Sequence, residues 1–162
     1  MAVYFIADDE EEDHQQLRVK IGLSRNIQSR IRQLQTGSPY RLRLMGWIES
    51  DDDASLERHL HAKYASQNTH HEWFHLEPYT VLKELKSHGI SAYIAVLNNA
   101  FEVTAYDKDG IPEYVGAWKW TEVEDIEFCP QCGCCCGLHY NENYGTERCL
   151  KCGIIDAHLE RL

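Results

Sequence analysis

The sequence lacks any long hydrophobic run. No apolar stretch in its 162 residues approaches the ~20 residues that a membrane-spanning helix needs. It also lacks the features of a secretory leader, because its start carries no basic residues and its first apolar run stops at Asp8. We therefore expect a cytoplasmic protein with no membrane partner. Its length allows one hydrophobic core, or one core plus a small appended module.

The sequence also lacks an even set of cysteines. It contains 7, and an odd number in a chain without a visible leader argues against a framework of disulfides. Thiols in such a chain are more typical of a metal site. All of the cysteines lie between residues 129 and 152, so we expect a metal-binding module in that part of the chain.

Positive charge is scarce. The chain has 16 lysines and arginines against 26 aspartates and glutamates, for a formal net charge of -10, which is not typical of a nucleic-acid-binding protein. The charge is unevenly distributed, however. Residues 14–75 contain 9 basic and 6 acidic residues together with six of the 9 histidines. A nucleic-acid partner therefore stays compatible with the sequence, and this segment is where it would bind.

The first ninety residues alternate between strand and helix patterns. Short β-rich or alternating runs predict strands, and apolar residues at helical spacing predict helices. Asn26 and Asp51 to Asp53 are good N-caps. Pro78 suits a first helical turn, and Gly37 and Gly89 suit helix ends. The predicted strands cover residues 3–7, 17–22, 40–50 and 72–76, and the predicted helices cover 26–37, 51–65 and 78–89.

An acidic run, Asp8 to Asp13, lies between the first two predicted strands and is expected to form the hairpin loop that joins them. We interpret it as a solvated hairpin tip. The alternative is a loop that repels nucleic acid until a partner covers it.

The character of the chain changes after Gly89. Residues 90–128 are acidic and predict two or three antiparallel strands, with turns at Asn98-Asn99 and at residues 107–110. We therefore divide the chain into a domain at 1–89, an acidic β-hairpin or meander segment at 90–128 and a cysteine module at 129–162.

The cysteine module contains two C-x2-C pairs, each followed by a glycine. This spacing matches four-thiolate zinc sites and predicts a zinc ribbon with a structural Zn²⁺ ion, because a site closed by four thiolates leaves no position for a substrate. The predicted ligands are Cys129, Cys132, Cys149 and Cys152. Cys134, Cys135 and Cys136 are interpreted as buried or spare thiols, with a second metal or a redox role as the alternative. Cys132 and Cys135 also form a C-x2-C pair, which leaves a second register open.

Five phrases of the first ninety residues occur in a recognisable order. They read AVYFI at 2–6, VKIG at 19–22, RNIQSRIRQLQTGSP at 25–39, ASLERHLHAKY at 54–64 and EWFHL at 72–76. In this order and spacing they resemble the GIY-YIG nuclease superfamily, and most closely its phage and bacterial branch, whose second motif reads KIG. The resemblance covers about residues 2–88.

The resemblance implies an α+β fold in which a small three-stranded antiparallel sheet with flanking helices carries a metal-dependent phosphodiesterase site. Tyr4 matches the tyrosine of the first motif, and Lys20-Ile21-Gly22 match the second. Arg30 matches the arginine of the helix, where its angle of ~60° from the apolar stripe puts it at the rim of the buried face. Glu57 matches the glutamate that holds the metal ion.

The chemistry of phosphodiester hydrolysis is compatible with these roles. Glu57 can hold a hard cation, Mg²⁺ or Mn²⁺, and the Arg30 fork can stabilise charge on the phosphate oxygens. Tyr4 is a useful base only if a nearby cation lowers its pKa from ~10, and Lys20 or the metal ion can be that cation. Gly22 is expected to let the backbone approach the substrate.

The sequence departs from the family at three positions. Ala2 stands where many members have glycine, and Lys20 stands where other branches have a tyrosine. Leu34 stands where several members carry histidine or tyrosine, so a second general base is missing there. The histidines that can replace it are His61, His59 and the pair His70-His71, with solvated side chains as the alternative.

The preferred hypothesis is a metal-dependent DNA endonuclease with the zinc ribbon as an accessory targeting or docking lobe. The first alternative is a nucleic-acid-binding or adaptor protein on the same fold with little or no turnover. The second is a protein-interaction module in which the acidic middle segment or the ribbon binds a protein partner.

Overall fold

The structure of the chain is a computed structural model. It describes residues 1–8, 17–96, 103–106, 112–114 and 128–155. The acidic run beyond Asp8 and the predicted turns at Asn98-Asn99 and 107–110 lie outside the described residues.

The described residues form an α+β structure with three α-helices and two short 3-10 helices. The α-helices are α1 (Ile27–Thr36), α2 (Asp53–Lys63) and α3 (Pro78–Ser87). The strands are β1 (Ala2–Asp8), β2 (Leu17–Ser24), β3 (Leu42–Ile48), β4 (Asn68–His70), β5 (Trp73–Leu76), β6 (Ala92–Ile94), β7 (Val103–Tyr106), β8 (Pro112–Tyr114), β9 (Leu138–Asn141) and β10 (Thr146–Cys149). Among the described helices, none has the length and apolar character to cross a membrane.

The main sheet has six strands in the order β4-β5-β2-β1-β3-β6, and the neighbouring strands pair antiparallel. The three strands implied by the family resemblance, β1 to β3, form its centre. A three-stranded sheet is therefore too small a prediction, because β5 and then β4 extend it beyond β2, and β6 extends it beyond β3. The local pattern of residues 72–76 predicts the strand that becomes β5, although the three-stranded sheet implied by the resemblance does not include it.

The two faces of the central strands bury different side chains. Alternate residues point to opposite faces of a strand, so Phe5 and Ile21 face a core built with α2 and α3. Tyr4 and Ile6 face the other way and pack with Ile31 of α1. Helix α1 therefore covers the face that carries Tyr4.

Local capping determines where the first two helices begin. The Asn26 side chain accepts a hydrogen bond from the Ser29 N–H at 2.9 Å, and Asp52 does the same for the Ser55 N–H at 2.9 Å. Gly37 ends α1. The predicted caps are confirmed, and each satisfies a backbone donor that the first helical turn leaves without a partner.

The cysteine module joins the edge of the main sheet. Its strands β9 and β10 form a hairpin between the two cysteine pairs. The Ile94 N–H donates to the Gly133 carbonyl at 2.8 Å, and the Cys135 N–H donates to the Ala92 carbonyl at 2.9 Å. Residues 133–135 thus continue the hydrogen bonding of the sheet beyond β6. The boundaries at 89 and 128 stay predictions.

We expect Gly133→Ala to destabilise the protein through a backbone clash. Gly133 has a φ of +78°, and a Cβ there would overlap the carbonyl oxygen of Ile94, whose N–H bonds back to Gly133. Because backbone atoms cannot move aside without breaking this pairing, the free energy of unfolding in urea should fall by more than ~2 kcal/mol.

Gly145→Ala is the matched control for this test. Gly145 has a φ of +62°, but nothing lies within 4 Å of a Cβ at that position. Its substitution should cost only the ~1 kcal/mol of a left-handed backbone. Equal losses in the two variants would contradict the clash with Ile94.

Candidate functional site

The phenol of Tyr4 lies against Gly22 on the neighbouring strand. Tyr4 and Gly22 are directly opposite in the pairing of β1 with β2. A Cβ on Gly22 would meet the Tyr4 Cζ atom at 2.7 Å, which is closer than real Cβ contacts allow. The sequence predicts that Gly22 lets the backbone approach a substrate, whereas in the structure the space beside Gly22 holds the Tyr4 ring. The glycine is therefore required by Tyr4.

Arg30, on the helix α1 that covers this face, lies near enough to the Tyr4 hydroxyl for its donor groups and positive charge to act on the phenol. Burial raises the pKa of Tyr4, and this effect outweighs the hydrogen bond and positive charge of Arg30, which lower it. The pKa of Tyr4 therefore lies above its ordinary value of 10.0, and Tyr4 is a neutral phenol at pH 7.

Lys20 forms an ion pair with Glu72, the residue just before β5. The Ile21 N–H also donates to the Glu72 carbonyl at 3.1 Å, so Glu72 continues the pairing of β5 with β2. The sequence predicts Lys20 or the metal ion as the cation that lowers the pKa of Tyr4, and among the described side chains it is Arg30 whose positive charge acts on Tyr4. Glu72 itself was missed by sequence reasoning, although it is the first letter of the phrase EWFHL.

Glu57 and His61 lie one turn apart on α2. The His61 Nε2 atom donates to the Ile21 carbonyl at 2.9 Å, and its ring is tilted against Phe74 with the ring centroids 5.2 Å apart. These contacts fix the His61 ring on β2. Glu57 is half-buried, and its charge acts on the Tyr4 phenol. Within the described part of the chain, no hydrogen bond or ion pair occupies the Glu57 carboxylate.

The structure brings the candidate residues into one electrostatic environment. The charges of Arg30, Glu72 and Glu57 all act on Tyr4. The charges of Lys20, His61 and Arg30 all act on Glu72 and lower its pKa. The residues that meet here are Tyr4, Lys20, Gly22, Arg30, Glu57, His61 and Glu72. Phenol, guanidinium and carboxylate groups are thus combined at one site.

Other candidate residues lie elsewhere. Leu34 packs into the apolar cluster between α1 and the sheet. His59 is exposed on α2, and the exposed rings of His70 and His71 pack on each other with centroids 3.9 Å apart. His61 is therefore the histidine that the fold brings to the site.

A groove of about 440 Å³ adjoins the site along α1 and β5, and its lining includes Arg18, Gln33, His70 and Trp73. The Arg18 guanidinium lies 5.2 Å from the centroid of a Trp73 ring. Lys20 lies 5.8 Å from the same ring, on the side of the candidate site. Trp73 therefore connects the groove to the site.

The four predicted zinc ligands meet in the cysteine module. The sulphurs of Cys129, Cys132, Cys149 and Cys152 all lie within 4.8 Å of one another. The Cys129 and Cys152 sulphurs are 3.7 Å apart, and those of Cys132 and Cys149 are 3.8 Å apart. Sulphurs bound at ~2.3 Å to one tetrahedral ion have about this separation. The cluster can therefore hold a zinc ion, in the register predicted from the sequence.

Backbone donors prepare this cluster for a metal ion. Gly133 and Gly153 both have positive φ, 78° and 76°, which lets each turn fold back on its cysteine pair. Burial raises the pKa of Cys129 to about 11 and also raises that of Cys132. At Cys149 the N–H groups of Cys152 and Lys151, together with the neighbouring thiols, outweigh burial and lower the pKa to about 7. A thiolate is the form that binds metal.

The model of the T5orf172 domain family matches residues 1–88, more than half of the chain, and the chain belongs to this family. The T5orf172 domain is phage-associated and related to nuclease folds, which supports a nuclease-related or DNA-binding role. No curated protein and no solved structure matches the chain significantly.

We expect Lys20→Met to raise the pKa of Glu72. Partial burial raises this pKa, and the hydrogen bond and charge of Lys20 bring it below its ordinary value of 4.5. Because the pKa is depressed in the folded state, the ion pair stabilises the protein above the pKa of unfolded glutamate, and this contribution is lost as the pH falls through the folded pKa. Carbon-13 NMR titration of the glutamate carboxyls measures the shift.

Lys63→Met is the control for this titration, because Lys63 pairs with Glu84 instead. It should leave the pKa of Glu72 unchanged. A Glu72 pKa that is the same in wild type and in Lys20→Met would show that the ion pair is not formed in solution.

Proposed function

We propose that this T5orf172-domain protein is a metal-dependent DNA endonuclease of the GIY-YIG type. The observation that carries the proposal is the convergence of Tyr4, Arg30 and Glu57, which come from a strand and two different helices. Family membership supports the broader class, a nuclease-related or DNA-binding protein.

Arg30 and Tyr4 act together on the reacting phosphate. The Arg30 guanidinium has five N–H donors, so it can hold Tyr4 and still donate to a phosphate oxygen. This donation stabilises the negative charge that grows on the phosphate during cleavage. The Tyr4 hydroxyl orients the attacking water and, as phenolate, accepts its proton.

Glu57 is the candidate ligand for a divalent cation. Its carboxylate is half-buried and is not engaged by any described side chain, and oxygen donors suit Mg²⁺ and Mn²⁺. Such an ion, when bound, supplies positive charge beside the phosphate and leaving oxygens. His61 lies one turn from Glu57 on α2, and its hydrogen bond to the Ile21 carbonyl holds this face of the helix against β2.

The DNA strand is proposed to run through the groove beside Trp73. The half-buried Trp73 ring offers a surface on which a base can stack. The neighbouring Arg18 and Lys20 already pair with Asp8 and Glu72, so stacking carries this part of the proposal. The cysteine module holds one structural Zn²⁺ through Cys129, Cys132, Cys149 and Cys152 and serves as an accessory lobe for docking or targeting.

We expect Glu57→Gln to abolish metal-dependent cleavage. Glutamine keeps the shape of the side chain but removes the charge that holds the cation, so the single-turnover rate should fall by ~10²-fold or more. The assay uses zinc-loaded protein with single-stranded, duplex and branched DNA, in the presence or absence of Mg²⁺ or Mn²⁺. Chelators are avoided because they would also remove the zinc ion.

Glu77→Gln, at an exposed position before α3, is the matched control and should cleave like wild type. DNA binding by Glu57→Gln, measured at several salt concentrations, should persist. Cleavage by Glu57→Gln at the wild-type rate would remove Glu57 from the mechanism. Salt-dependent binding by the wild type without cleavage in either metal would favour the alternative, a DNA-binding or adaptor protein.

The cleavage rate should rise with pH between 7 and 9 in Mg²⁺. Burial holds the pKa of Tyr4 above 10.0, so the phenolate fraction grows about tenfold per pH unit across this range. Tyr4→Phe should lose most of the activity together with this slope. A rate that reaches a plateau below pH 8 would mean that another group accepts the proton.

A further inference from the structure

The three remaining cysteines do not point the same way. Cys134 pairs with Tyr93 in an antiparallel bridge at the edge of the main sheet, so the backbone is locally extended and alternate side chains diverge. Cys135 is buried in the main core among α3 and β6 residues. Cys134 packs instead with Tyr93, Cys129 and Cys149 in a separate cluster, with Cys136 against it.

This alternation places two more thiols beside the four-cysteine cluster. The Cys134 and Cys136 sulphurs are 3.1 Å apart. Both lie within 4.8 Å of the sulphur of Cys149, which is also a member of the four-cysteine group. Cys149 is therefore shared by two sets of sulphurs that are each close enough to bind one ion.

We propose that Cys134, Cys136 and Cys149 bind a second thiophilic divalent ion, Zn²⁺ or Cd²⁺, with the Cys149 thiolate bridging the two metals. The proposal rests on the zinc site proposed for Cys129, Cys132, Cys149 and Cys152. Cys134 and Cys136 release their thiol protons to solvent as the ion binds, and the charge of the ion offsets that of the two new thiolates. Three sulphurs leave one coordination position, which water fills.

The geometry needs little change to accept this ion. Sulphurs bound at ~2.3 Å to a tetrahedral ion lie about 3.8 Å apart, so the Cys134–Cys136 pair opens slightly when it binds. The backbone of Cys134 is held by the bridge to Tyr93, whereas Cys136 lies at the half-buried edge of the cluster and can rotate. The second ion thus sits where the module joins β6.

Metal counting on the full chain tests the proposal. Native mass spectrometry of reduced protein, saturated with zinc and washed, should find two ions per chain in wild type. The double variant Cys134→Ala/Cys136→Ala should retain one. Cys135→Ala is the matched control, because it removes the neighbouring thiol that faces the core, and it should retain two ions.

Cadmium-113 NMR provides the independent readout. Wild-type protein and Cys135→Ala should show two resonances, and the double variant should show one, whose presence also demonstrates that the four-cysteine site still folds. One ion per chain in all three proteins would overturn the second site. A Cys134–Cys136 disulfide that persists under reducing conditions in the presence of zinc would overturn it as well. If the wild-type protein bound no ion, the four-cysteine site itself would be contradicted. The number of ions per chain separates this result from the failure of the second site alone.

Discussion

Tyr4 and Gly22 occupy opposite positions in the pairing of β1 with β2. The Tyr4 phenol fills the space that a side chain at position 22 would need. The geometry of the candidate site depends on this register. A slip by one residue would turn Tyr4 to the α2–α3 face, because side chains alternate along a strand. Both faces of β1 are buried, so such a slip would exchange the side chains that pack in the two clusters.

Charge balance shapes the same site. The chain is strongly acidic, yet the site contains two cations, Lys20 and Arg30, beside two carboxylates, Glu57 and Glu72. Lys20 is 6% exposed, and a buried ammonium group needs a partner such as Glu72. This pairing explains why Lys20 does not serve as the cation that acts on Tyr4. Arg30, with more donors in a planar fork, takes that position.

The cysteine module contacts the main sheet through backbone hydrogen bonds and through side chains that enter the core. Residues 133–135 bond to β6, and Phe128 and Cys135 enter the main core. Covering the β6 edge in this way also removes an open strand edge that would otherwise be able to pair with another chain. Because metal binding stabilises the folded cysteine pairs, it is expected to stabilise the β6 side of the sheet as well. The cysteine chemistry is thereby linked to the domain that carries Tyr4.

The sequence by itself determined the three α-helices, the strands β1, β2, β3 and β5 and the register of the four cysteines, but not β4 at Asn68–His70. These features rest on signals within a few residues, such as the Asn26 cap, the alternation in β2 and the C-x2-C spacing. It also identified the residue types at the candidate site, apart from Glu72. Only the tertiary structure decided that the sheet has six strands, that Lys20 pairs with a carboxylate 52 residues away and that Cys149 faces a second pair of thiols. Those contacts depend on which distant strands meet and on which face each side chain then occupies, and no local pattern encodes either.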